Sequence, residues 1–221
     1  MLDTKLNTLK GVIVEYAALV EKMIDKCISG LLQKSADILM SVIVDDENRA
    51  NQFELDIDEL CVTMIAQYEP KAKDLRTILM VLKMNSDFER MGDHAVNIAQ
   101  SAQYLITRPL VKPLVDIPRM AQETMKMLKD STDSFIRDDA SLARNVCERD
   151  NVVDALRDTI LRDLIKHMIS DPSTIERALH LISIARNLER IADLSTNICE
   201  DVIFMVAGRI IKHHKDEMRN D

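Results

Sequence analysis

The sequence predicts an all-α protein made of two tandem three-helix bundles related by internal duplication, and three observations carry that expectation. The 221 residues include only 4 Gly, 5 Pro and no Trp, and 30% are charged, a composition that favours helices. Three prolines crowd into "RPLVKPLVDIP" at 108–118, a stretch that a continuous helix cannot cross. Finally, "ERMGDHAVNIAQ" at 89–100 returns as "ERIADLSTNICE" at 189–200, so the halves on either side of the break repeat each other. The expected boundaries are a first unit at 1–107, a linker at 108–118 and a second unit at 119–221, each folding around its own core.

Taken in order, the first helix runs from the N-terminus to "VDDEN" at 44–48, where a second begins. That helix ends in "YEPKAKD" at 68–74, with Pro70 expected in the first turn of the third. In the second unit, "RDDAS" at 137–141 and "ISDPSTIE" at 169–176 are the corresponding breaks. Ser173 and Glu176 have capping-box spacing behind Pro172. Placing 89 over 189 aligns Glu, Arg, Asp, Asn and Ile at 89, 90, 93, 97 and 98 with the same residues at 189, 190, 193, 197 and 198. The preceding helices align in another register, "ELDIDEL" at 54–60 over "DNVVDAL" at 150–156, with the difference absorbed near "ISDP".

A formal charge of −8 argues against nucleic acid, which demands a concentrated basic surface. The one basic cluster, "GRIIKHHK" at 208–215, reads as cations placed beside a helix C-terminus. Cys27, Cys61, Cys147 and Cys199 form no CxxC pair and read as small core residues in a reducing compartment. Glu15 and Glu21 interrupt the N-terminal apolar run short of a membrane span. The expected location is the cytoplasm, with any membrane contact made through a partner.

Chemistry enters with the repeated acids. The second and third helices of each unit carry an acid-xxx-Asp pair: Glu54 with Asp58 and Glu89 with Asp93, then Asp150 with Asp154 and Glu189 with Asp193. Spacing of four puts both carboxylates on one helix face, about 6 Å apart along the axis. On the third helix the row Leu75, Leu79, Leu82, Ser86 leads into Glu89 and Asp93, so the acids are expected on the inward row or its edge. Glu54 and Asp58 border a stripe of Ile57, Cys61 and Ile65, and antiparallel packing would gather four carboxylates per unit. Two unit charges about 6 Å apart repel by roughly 3 kcal/mol at an effective dielectric near 20. Several such pairs rival the whole stability of a domain, about 5–15 kcal/mol.

A bound cation relieves that repulsion at neutral pH, and oxygen donors suit magnesium, manganese, calcium or iron better than a soft-ligand zinc site. Asn97 and Asn197, one turn further on, offer a carbonyl ligand or a supporting hydrogen bond. The competing reading pairs these acids with Arg49, Arg76, Arg90, Arg144, Arg186 or Arg190 in surface ion networks. Four matches at corresponding places in two repeats favour metal.

The two motifs, each preceded by a helix with an acid-xxx-Asp pair, closely resemble the signature repeats of the PhoU family of phosphate-specific transport regulators, over nearly the whole chain. The resemblance implies two three-helix bundles about a pseudo-two-fold axis and multinuclear clusters of iron, zinc, magnesium or manganese. By position the implied ligands are Glu54, Asp58, Glu89 and Asp93, then Asp150, Asp154, Glu189 and Asp193, with Asn97, Asn197 and Glu200 as additional ligands or supports. Glu54 faces Asp150, and Gln100 stands where the second copy has Glu200, which implies clusters of unequal charge or nuclearity. The resemblance further implies a cytoplasmic, often dimeric, negative regulator of the phosphate-starvation response. Its implied partners are the ATP-binding subunit of the phosphate ABC transporter and a sensor histidine kinase.

Two rivals remain. A di-iron carboxylate enzyme needs Glu-x-x-His motifs, but His94 directly follows Asp93, His167 has Leu164 three residues before it, and His180, His213 and His214 lack a Glu there. A metal-free helical adaptor with surface acids is the other. His94 itself reads as a surface residue because the second copy has Leu194, and the 13 Met read as gap-filling core. No catalytic residue and no organic cofactor are expected.

Overall fold

The structure, a computed structural model, describes residues 2–207. Apolar residues recurring every three or four positions build α1 (Leu2–Gln33), α2 (Ala36–Ser41), α3 (Glu47–Tyr68), α4 (Lys73–Ile106), α5 (Asp116–Ile136), α6 (Ala140–Ser170) and α7 (Ile175–Ala207). A π-helical turn, Val42–Asp46, joins α2 to α3, so the two act as one long rod. There is no strand among the described residues. One unit consists of α1, the α2–α3 rod and α4; the other consists of α5, α6 and α7. The basic cluster at 208–215 lies outside the described residues.

Several breaks fall elsewhere than expected. The first helix stops at Lys34, which takes a left-handed backbone (φ 54°), and Ser35 starts the next helix by accepting from the Ile38 amide at 3.4 Å. "VDDEN" does not break the chain, because its buried carboxylate finds a cation: Lys26 Nζ lies 2.5 Å from Asp46 Oδ2. Pro70 sits in the loop rather than the first turn, since Glu69 and Ala72 both adopt positive φ before α4 starts at Lys73. "RDDAS" breaks the chain as expected, with Asp138 left-handed and Asp139 capping α6 through the amides of Ser141 and Leu142. Ahead of α7 the cap is Asp171, bonded to the Ser173 amide at 3.0 Å, instead of a Ser173–Glu176 box. The linker is helical from Asp116, and Pro118 is tolerated in the first turn.

The expectation of two self-contained cores gives way to a shared one. Buried side chains from both units form one contiguous cluster, and α4 packs along α7 across the unit boundary. Contacts on that seam pair rising numbers with falling ones. Lys83 meets Asp201 at 2.6 Å, His94 Nδ1 lies 2.9 Å from Asn187 Oδ1, and the Ser101 hydroxyl lies 3.4 Å from that of Ser183. The two helices are therefore antiparallel. Tyr104 stacks on His180 at 3.9 Å on the same seam. His94, expected at the surface, is half-buried there because Asn187 faces it. Among the described methionines Met40 alone is exposed, so this residue type fills the core.

Candidate metal centre

The row Leu75–Leu79–Leu82–Ser86 is not the inward face of α4. Ile78, Val81, Asn85, Phe88 and Ala95 are buried, whereas Leu79 and its counterpart Leu179 are 46% and 54% exposed. The acids follow that outer edge. Glu54 and Glu89 are half-buried, and Asp58 and Asp93 are exposed. Burial, then the charges of Asp93 and Glu54, raises the Glu89 carboxyl above the usual range, with Arg90 partly offsetting them. Behind them Tyr16 is fully buried on α1, and its hydroxyl has no hydrogen-bond partner. Burial followed by the charges of Glu54, Glu89 and Asp93 pushes that phenol strongly upward. The charges of Glu54, Glu89 and Asp93 thus all reach Tyr16. The Asn85 amide donates to Asp58 Oδ1 and to the Glu54 carbonyl, both at 2.9 Å. The Asn85 amide oxygen is buried without a partner.

In the second unit the acids meet a cation of the chain itself. Arg157 Nη1 lies 2.6 Å from Glu189 Oε1 and 3.3 Å from Asp154 Oδ1. Arg190 reaches Asp193 at 3.3 Å. Burial, with the Glu189 charge next, raises the Asp193 carboxyl, while Arg190 works against that rise. The Asp150 charge reaches Cys147, whose thiol neighbours that of Cys199 across α6 and α7.

The additional candidates scatter. Asn97 is exposed, while Asn197 and Glu200 line an open cleft of about 410 Å³ between α4 and α7. Asp87 lines the same cleft, and desolvation lifts its carboxyl to about 6.

Among the described residues no three His, Cys, Asp or Glu side chains stand close enough to form a ready coordination shell. The donor chemistry of the first unit nevertheless fits a hard cation. The charges of Asp93 and Glu54 weigh on Glu89, no ion pair among the described residues reaches Glu54, Asp58, Glu89 or Asp93, and a buried hydroxyl has no partner behind them. The second unit does not fit in the same way, because Arg157 already joins two of its acids. Sequence reasoning missed Tyr16, Asn85 and Arg157. Asn85, one turn before Glu89 on α4, was the one with a readable signal.

Two three-helix units with paired acids at matching places on neighbouring helices define a duplicated helical-bundle protein. A family model described as the PhoU domain matches residues 13–102 and again 117–202. A PhoU homolog of Aquifex aeolicus, a phosphate-specific transport system accessory protein, is 40% identical over 209 residues, covering 95% of this chain and 94% of that one. The crystal structure of PhoU from Pseudomonas aeruginosa superposes with a TM-score of 0.89 at 33% identity, over 95% of this chain and all of the other. That of the phosphate transport system regulatory protein PhoU from Streptococcus pneumoniae gives 0.88 at 25% identity, over 96% and 100%. The chain belongs to the PhoU family.

Proposed function

We propose that this protein is a cytoplasmic negative regulator of phosphate uptake and of the phosphate-starvation response. It acts as an adaptor, without catalysis of its own, between the ATP-binding subunit of the phosphate ABC transporter and a sensor histidine kinase, and works as a homodimer. One observation supports this most: over 95% of its length the chain matches a relative named as a phosphate-specific transport system accessory protein. No described helix is long and apolar enough to cross a membrane, so contact with the transporter is made through a protein surface. Deleting the gene should switch on phosphate-scavenging genes in phosphate-rich medium. Unchanged repression together with unchanged phosphate uptake would end the regulatory assignment.

Within that role Glu54, Glu89 and Asp93, supported by Asp58, hold a divalent or ferric ion that fixes α3 against α4. A rigid surface lowers the ordering cost of docking. Elemental analysis of protein purified without a histidine tag should find the ion, and Asp93→Asn should reduce its content. Because the substitution also removes a repelling charge, the metal-free variant should be more stable than the metal-free parent by about 0.5–1 kcal/mol. A parent protein devoid of metal would favour the surface-acid reading instead.

A further inference from the structure

We infer that Arg157 is a built-in counter-ion that takes the place of metal in the second unit, leaving the first unit as the one that responds to metal. The inference rests on the metal reading above and refines it. The register that sets 54–60 over 150–156 sets Cys61 over Arg157, and setting 89 over 189 places Ser86 over Arg186. Two guanidiniums thus appear in the second unit where the first has a thiol and a hydroxyl.

Arg157 is not a loose surface cation. Its Nη1 bridges Glu189 on α7 (2.6 Å) and Asp154 on α6 (3.3 Å). Its other edge is held by Asp158, which accepts from Nη2 at 2.9 Å and from Nε at 3.1 Å. Asp158 stands over Val62, so the residue that pins Arg157 is likewise peculiar to this unit. The side chain is 29% exposed, and Glu189 is 15% exposed. A planar guanidinium satisfies several carboxylate oxygens at once, and an ion entering here would first have to displace it. In the first unit Cys61 is fully buried, and Arg90 turns to Asp87 at 3.7 Å rather than to Asp93.

The test titrates metal-free full-length protein with Mn²⁺, counting free ion by electron paramagnetic resonance. Asp93→Asn should weaken binding by about tenfold or more, whereas Asp193→Asn should change it by no more than about twofold. Arg157→Gln should add a class of Mn²⁺ sites that Asp193→Asn then abolishes. Equal losses from the two Asp→Asn changes, or no added sites in Arg157→Gln, overturn the inference. A second arm needs no metal. In EDTA, Arg157→Gln should lower Tm by about 2–5 °C, and Glu189→Gln in the same background should restore part of it. Additive losses would show that Arg157 is not the counter-ion. If Mn²⁺ bound neither unit of the parent, the metal reading itself would fall, and this cycle alone would decide what Arg157 does.

Discussion

Phe88→Ala should lower the unfolding free energy by about 3–5 kcal/mol, the usual cost of deleting a buried ring and leaving its cavity. Phe88 is fully buried on α4 between two acids, Asp87 and Glu89. Its ring lies 5.5 Å from that of Tyr16 on α1, and Tyr16 stacks on Phe53 of α3 at 5.2 Å. Three aromatic rings from three helices therefore meet directly behind the first acid cluster. Such pairs add about 0.5–1.5 kcal/mol each beyond the area they bury. Against a domain stability of about 5–15 kcal/mol the loss is large. Phe88→Leu, which keeps most of the volume, should cost less than about 1.5 kcal/mol. Urea unfolding followed by circular dichroism reads both values. Equal midpoints for parent and Phe88→Ala would mean that the ring does not stand in the core.

Lys26→Met should cost nearly as much, about 3–5 kcal/mol, because it strands a buried carboxyl rather than loosening a surface pair. Asp46 has only 3% of its side chain exposed, and Lys26 Nζ approaches it at 2.5 Å while also donating to the Ser41 hydroxyl at 3.1 Å. That hydroxyl in turn donates to the Ile38 carbonyl at 2.8 Å. The chain ties α1 to the π-helical turn, where the backbone departs from regular α geometry. Joining Lys26→Met to Asp46→Leu should recover most of the loss, since the apolar pair leaves no charge to desolvate. A loss below about 1 kcal/mol for Lys26→Met alone would mark the pair as solvated.

Composition, the proline-rich break and the duplicated motif made the six long helical rods and their division legible, because each is a local or repeated signal. The face that α4 turns inward was harder to read. α4 packs against α1, α3 and α7, so it has apolar residues around much of its circumference, and Leu75–Leu79–Leu82 is only one of several plausible rows. The row that is buried passes through Ile78, Val81, Asn85 and Phe88, one step round the helix. The acid pairs themselves were visible from spacing, but their surroundings were not. Tyr16 lies on α1 far from either motif, and only tertiary packing brings it behind Glu54 and Glu89. Arg157 was hidden for a different reason. The copy it should be compared with has Cys61, and nothing in the linear pattern says that a longer side chain there reaches Glu189 on the next helix.

The antiparallel seam between α4 and α7 fixes where the two acid clusters stand. Contact pairs along it, from Lys83 with Asp201 to Ser101 with Ser183, place Glu89 on α4 level with residues near 194 on α7. Asp193 is among them. The clusters consequently occupy one latitude of the molecule, although α7 is 33 residues long and could have held them far apart. A helix of that length spans about 50 Å, whereas neighbouring axes lie only about 8–10 Å apart. A surface that reads both clusters together therefore needs to span the breadth of a helix pair and not the length of a rod.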